Sequence, residues 1–191
     1  MLHKKFKPPC YQSAFNNLFN IGRDNWKDIY EKKVKNMYDK RLSEFNYKLL
    51  NNILNCNSFQ YKCKSRSNAN CEFCPCEKED IKHLLFDCIS VQRLWQKLNS
   101  ILNFDVCWKH IIIGFYLEKN SKTVFLNTII SYVSYVIYKY KMTCRMNENF
   151  QSCNTLLNFF KRSLSKEMDL MLNFSKTKIY RGKILEFIRL L

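Results

Sequence analysis

The chain has 191 residues, 47% hydrophobic and 15% aromatic, and a formal net charge of +16. That length holds one domain, or one plus a small satellite, with enough apolar mass for a core. Three Gly and three Pro are too few for many short strands, so the composition points to an all-α, irregular helical bundle.

In chain order, Met1-Leu2-His3-Lys4-Lys5-Phe6-Lys7-Pro8 carries charge without an apolar run behind it, which is not the pattern of a secretory signal. Residues 1–23 read as a poorly ordered segment. From 24 to 118 a helical region is expected, with its core at 40–98. Trp26, Ile29, Tyr30, Val34 and Met37 recur at helical spacing, with Asp24 placed as the cap. A second amphipathic run, Leu42, Phe45, Leu49, Leu50, Ile53 and Leu54, breaks at Asn55-Cys56-Asn57-Ser58. Lys62 to Asn70 is polar, basic and loop-like.

Next comes Cys71-x2-Cys74-x8-His83-x4-Cys88. Three thiolates and an imidazole supply the four ligands of a closed tetrahedral zinc site, which is a structural rather than a catalytic arrangement. Two residues between Cys71 and Cys74 suit a tight turn. His83 and Cys88 are harder to reconcile, because five residues along an α-helix rotate a side chain about 140° off its face. Cys88 can share the ion only if that turn is loosened or ends early. Cys76 is an alternative to Cys74, and Cys63 is a spare ligand upstream. A redox role for the C-x-x-C pair lacks the strand that normally precedes one. Cys10, Cys56, Cys107, Cys144 and Cys153 show no paired spacing and read as ordinary thiols.

Beyond His83 a long helix is expected, with Leu84, Cys88, Val91, Leu94, Trp95, Leu98, Ile101 and Leu102 on one stripe. Leu94 and Trp95 are placed to brace the segment that carries His83 and Cys88. Ile111-Ile112-Ile113-Gly114-Phe115 is a short apolar patch of undecided period. Residues 119–191 form a C-terminal helical region: 121–143 apolar nearly all round and hence central, then stretches at about 150–172 and 177–190. Val124 to Tyr138, the longest apolar stretch, falls short of the ~20 residues of a membrane span. The expected protein is soluble and intracellular, nuclear or cytoplasmic, where clustered cysteines favour metal over disulfides.

The charge is unevenly spread. Residues 1–70 carry 14 Lys/Arg against 5 Asp/Glu, residues 71–118 carry 5 against 7, and residues 119–191 carry 13 against 4. A bound RNA or DNA would therefore meet mainly the flanks, and Lys62, Lys64 and Arg66 on the loop entering the metal turn are the candidate phosphate contacts. A competing origin is an A/T-rich coding sequence, since Lys outnumbers Arg 24 to 8 and Ala occurs only at 14 and 69. Tyr132, Tyr135, Tyr138 and Tyr140 could be stacking platforms, but their spacing fits core better; Phe73 likewise reads as packing under the ion. His3 and His110 have no companion acid or nucleophile at a recognisable spacing, so no enzyme and no small-molecule substrate is expected.

Lys40 to Leu54, Cys71-Glu72-Phe73-Cys74, Glu79-Asp80-Ile81-Lys82-His83-Leu84-Leu85-Phe86-Asp87-Cys88 and Leu94-Trp95 together resemble the zinc-binding element at the C-terminal end of non-LTR (LINE-type) retrotransposon reverse transcriptases. Trp26 to Tyr30, Ile112-Ile113-Gly114 and Tyr138 to Lys141 are similar to that group more loosely. Asp80 departs from the family's usual Thr. The resemblance implies a non-catalytic tail that helps hold RNA or target DNA beside the parent polymerase during target-primed reverse transcription. It equally allows a truncated element copy, a structural or docking module with no nucleic-acid binding of its own. The polymerase's Asp-Asp pair, needed for two magnesium ions, does not occur.

Overall fold

A computed structural model describes residues 10–37, 39–74, 76, 78–117, 121–146 and 156–163. Among the described residues the fold is all-α, with no strand. The expected helices over 177–190 and most of 150–172 lie outside them; 156–163 is helical.

The elements are α1 (Cys10–Phe19), α2 (Asn25–Tyr30), α3 (Lys40–Leu50), α4 (Asn57–Lys62), α5 (Ile89–Leu102), α6 (Trp108–Ile112) and α7 (Ser121–Met146). Within the segment expected to be loose, α1 forms because its apolar side finds a partner. Phe15 stacks on Phe19 at 5.9 Å and meets Trp26 at 6.5 Å, and the Trp26 Nε1–H donates to Asn16 Oδ1 at 2.6 Å. Asn- and Ser-rich sequence has weak helix propensity, so tertiary contact decides the outcome.

The helix from Trp26 onward is not regular. α2 runs into a π turn at Glu31–Lys35, where the Asn36 N–H donates to the Glu31 carbonyl at 2.8 Å, a span of five residues. The extra residue shifts the register, so Lys33 is buried while Val34 is only half-buried. Asn46 of α3 donates its side-chain N–H to the Lys33 carbonyl at 2.7 Å. α3 begins where the Asp39 carboxylate accepts the Arg41 N–H at 2.7 Å, and buries Leu42, Phe45, Leu49 and Leu50. Asp24, by contrast, makes no side-chain cap.

The long α7 is central, as its apolar circumference predicts. It packs against α3, α6, the π turn at Glu31–Lys35 and a second π turn at His83–Asp87. Three of its hydroxyls bond within the helix: Thr128, Ser134 and Thr143 donate to the carbonyls of Val124, Ile130 and Lys139 at 2.8–3.0 Å. Tyr132 and Tyr140 are buried, while Tyr135 and Tyr138 lie half-buried against Phe45, so these rings belong to the core. The undecided patch at 111–115 is the end of α6, closed by Gly114 at φ +63°. A Cβ there would run into Asn127 Oδ1, which accepts the Phe115 N–H at 2.8 Å. No helix among the described residues is long and apolar enough to cross a membrane.

Lys33 is fully buried, and its Nζ donates to Ser131 Oγ at 2.9 Å. Burial lowers its pKa from 10.5 to about 7. The unfolded chain then binds more protons than the folded one between about pH 7 and pH 10.5, so this residue's penalty is largest at and below neutral pH and fades as pH rises. Lys33→Met is expected to raise stability by about 2–3 kcal/mol at pH 7. The gain should shrink towards zero near pH 10.5 in urea titrations of the two proteins; a gain unchanged with pH would show that the amine is not the cause.

Candidate metal centre

Cys71, Cys74, His83 and Cys88 converge. One potential ligand atom from each lies within 4.8 Å of all the others. Cys71 Sγ and Cys88 Sγ are 3.9 Å apart, and Cys74 Sγ and His83 Nε2 are 3.2 Å apart. Metal–sulfur bonds of about 2.3 Å and metal–nitrogen bonds of about 2.0 Å give tetrahedral edges of about 3.8 Å and about 3.5 Å. The cluster therefore matches such a site to within small side-chain movements, and it can hold a metal ion.

Each ligand is placed by local chemistry. The Phe73 N–H donates to Cys71 Sγ at 3.4 Å, and the Cys71 N–H donates to the Cys76 carbonyl at 2.9 Å, closing the knuckle. The Phe73 ring stacks on Tyr140 of α7 at 5.5 Å, as a packing residue beneath the knuckle. Asp80 Oδ1 accepts the His83 N–H at 2.8 Å. Asp80 thereby caps the turn that carries His83.

The obstacle at Cys88 is resolved by a second π turn at His83–Asp87. The Cys88 N–H donates to the His83 carbonyl at 2.9 Å, a span of five, and Cys88 itself is extended at φ −62°, ψ 127°. The turn is loosened and also ends early, which turns the Cys88 thiol back beside His83. The expected continuous helix is thus interrupted, and α5 starts only at Ile89. Trp95 Nε1–H donates to the Leu85 carbonyl at 2.8 Å, bracing the loosened turn. The Ser90 hydroxyl donates to the Phe73 carbonyl at 2.8 Å and ties α5 to the knuckle.

The neighbouring Cys88 thiol and then burial push the Cys71 thiol well above the ordinary cysteine range, and burial raises that of Cys74. Thiolates in such a setting need a positive partner. Cys76 Sγ contacts the Lys78 carbonyl at 3.4 Å, and Cys63 is exposed; neither belongs to the cluster. Of the remaining thiols, Cys56 and Cys144 are buried and Cys107 is exposed, while Cys153 lies outside the described residues.

A buried ion pair anchors the whole element. Lys141 Nζ of α7 donates to Glu79 Oε1, which also accepts the Asn57 N–H at 3.0 Å. The Glu79 backbone N–H donates to the Ala69 carbonyl at 2.8 Å, and its carbonyl accepts the Ser58 N–H at 3.0 Å. Glu79 is therefore where α4, the incoming loop and the metal segment meet. Sixty-two residues separate it from Lys141, too far for sequence spacing to disclose the pair.

The three basic candidates part company. Lys62 and Lys64 are exposed. Arg66 is partly buried and paired with Glu72 at 2.5 Å, which holds it against the knuckle. His3 lies outside the described residues. His110 does have a thiol companion: Cys107 Sγ lies 3.2 Å from its Nδ1. That nitrogen accepts the Cys107 N–H at 3.1 Å, and the ring stacks on Phe115 at 4.8 Å, so the pair forms the start of α6. Burial and Lys109 lower the imidazole's pKa.

No family model, curated protein or solved structure matches the chain.

Proposed function

We propose that this chain is a non-catalytic module, clipped by one structural Zn²⁺ on Cys71, Cys74, His83 and Cys88, that binds RNA or single-stranded DNA. We read it as the tail of a non-LTR retrotransposon reverse transcriptase, acting beside the parent polymerase in target-primed reverse transcription. The observation that carries the metal reading is the convergence of three Sγ atoms and one Nε2 within 4.8 Å. Zinc suits three thiolates and an imidazole with no fifth partner and no open position, a set that fixes shape and leaves no place for substrate. The nucleic-acid reading is supported by the formal charge of +16, concentrated on both sides of the metal segment.

In a titration of a 12-nucleotide single-stranded RNA with the zinc-loaded chain, affinity is expected to fall about tenfold or more between 50 and 200 mM salt. A flat salt response, or no binding at 50 mM, would contradict the nucleic-acid reading.

A docking module is the second reading. It is supported by an apolar groove of about 220 Å³ in which Tyr11, Phe15 and Leu18 of α1 face Ile81, Trp108 and Ile112, next to the metal segment. It predicts self-association of the purified chain, visible by analytical ultracentrifugation, together with indifference to nucleic acid.

A further inference from the structure

The helix α5 carries no acidic residue along its 14 positions. Ile89, Gln92, Arg93, Gln96, Lys97 and Ser100 are exposed. At about 100° per residue they fall within an arc of about 140°, so they share one face of the helix. Val91, Leu94, Trp95 and Leu98 are buried on the opposite one. The exposed face therefore brings together the cations Arg93 and Lys97, the amides of Gln92 and Gln96, and the Ser100 hydroxyl.

That face runs into an open cavity of about 610 Å³ at the C-terminal end of α5, lined by Gln96, Asn99, Ser100, Asn103, Phe104 and Asp105. The volume is that of a small-molecule site, and the mostly polar lining fits a flat ligand rich in hydrogen-bonding groups. Several of its walls are fixed. Asn103 is left-handed at φ 48°, and its N–H donates to the Asn99 carbonyl. Asn99 Oδ1 accepts the Val106 N–H at 3.1 Å, which leaves the Nδ2 hydrogens to donate elsewhere. Phe104 is half-buried, and its ring is held by His110 at 4.9 Å and Phe115 at 5.3 Å, a rigid apolar wall. Gln96 and Asp105 are exposed, and neither side chain has a hydrogen-bond or ion-pair partner among the described residues.

A carboxylate acceptor beside amide donors and a flat apolar wall is selective among the bases. Guanine alone presents two adjacent donors, N1–H and N2–H, that a carboxylate can accept together, and its O6 takes a donor beside them. We infer that an unpaired guanine of a single-stranded nucleic acid seats in this cavity against Phe104, its N1–H and N2–H on the Asp105 carboxylate and its O6 accepting from the cavity's amides, with the adjoining phosphates on Arg93 and Lys97. The inference rests on the nucleic-acid reading above and gives it a place and a base preference. Pairing occupies the same edge of the base, so a duplex does not bind here.

The test is fluorescence anisotropy of the zinc-loaded full chain with three fluorescein-labelled 12-nucleotide RNAs: all uridine, uridine with one central guanosine, and the same strand with inosine, which lacks the N2 amino group. The guanosine strand should bind about 5- to 150-fold more tightly than the all-uridine strand, with inosine between them. Asp105→Asn should erase that preference and leave affinity for the all-uridine strand unchanged. Arg93→Gln/Lys97→Gln should instead weaken all three, and between 50 and 200 mM KCl should reduce the salt slope by about 1.4, two phosphates at about 0.7 each. Both variants change exposed positions. Equal binding of the guanosine and all-uridine strands, or a preference that Asp105→Asn retains, would overturn the inference and leave the broader reading standing. GMP competing as strongly as the guanosine strand would show a mononucleotide site and overturn the placement of the strand. No binding of any strand by the original chain at 50 mM would overturn both readings.

Discussion

Chelating the metal is expected to abolish the chain's cooperative thermal transition, or to lower its midpoint by about 20 °C or more. Structural zinc contributes on the order of 10 kcal/mol to the folded state, while whole domains are stable by only about 5–15 kcal/mol. At about 2–4 °C per kcal/mol for a chain of this size, the loss takes the transition below the working range. The reason is visible in the fold. Cys71 and Cys88 are buried and arrive from segments 17 residues apart. Without a cation their sulfurs supply no bond between the knuckle and the π turn. Protons compete with the metal for the same sulfurs, so release should advance as pH falls and reverse as it rises. Cys88→Ser should reproduce the effect of chelation. Cys76→Ala should not, because Cys76 Sγ faces the Lys78 carbonyl instead. Circular dichroism melts with and without excess EDTA distinguish these outcomes, and an unchanged melt in EDTA would contradict the account.

Lys141→Met should destabilise the metal-loaded chain by about 3–5 kcal/mol, because it strands the Glu79 carboxylate in the interior. Both side chains of the pair are wholly inaccessible to solvent. Glu79 Oε1 would keep only the Asn57 N–H, and Oε2 has no hydrogen-bond partner. The double change Glu79→Gln/Lys141→Met removes both charges while leaving an oxygen to accept from Asn57, so it should recover to within about 1–2 kcal/mol of the original. A double-mutant cycle from urea unfolding would then give a coupling of about 2 kcal/mol or more. Additive costs, or a Lys141→Met penalty below about 0.5 kcal/mol, would mean that water reaches the pair.

What could be read in advance followed from spacing. The quartet Cys71, Cys74, His83 and Cys88 is legible because ligand residues are few and their separations are constrained. The same arithmetic required the turn after His83 to loosen, and the π turn is how it does so. The apolar circumference of 121–143 and the core placement of Tyr132 and Tyr140 were likewise legible, since burial follows helical periodicity. Where periodicity is interrupted, legibility ends. The π turn at Glu31–Lys35 rotates the register, so Lys33 goes inside although Val34 is the apolar residue. α1 and α4 are short, and form through contacts made elsewhere in the chain. With 55–58 read as a chain break and 62–70 as a loop, nothing in the spacing fixes which side chains of α4 face water. The capture of Arg66 by Glu72 depends on the knuckle's shape rather than on its composition.

Native mass spectrometry of freshly purified chain, with elemental analysis, tests the central claim most directly. The account predicts one zinc per chain, retained by Cys76→Ala and Cys63→Ser and lost from Cys88→Ala. A compact chain carrying no zinc, or a Cys88→Ala chain that keeps a full equivalent, would contradict it.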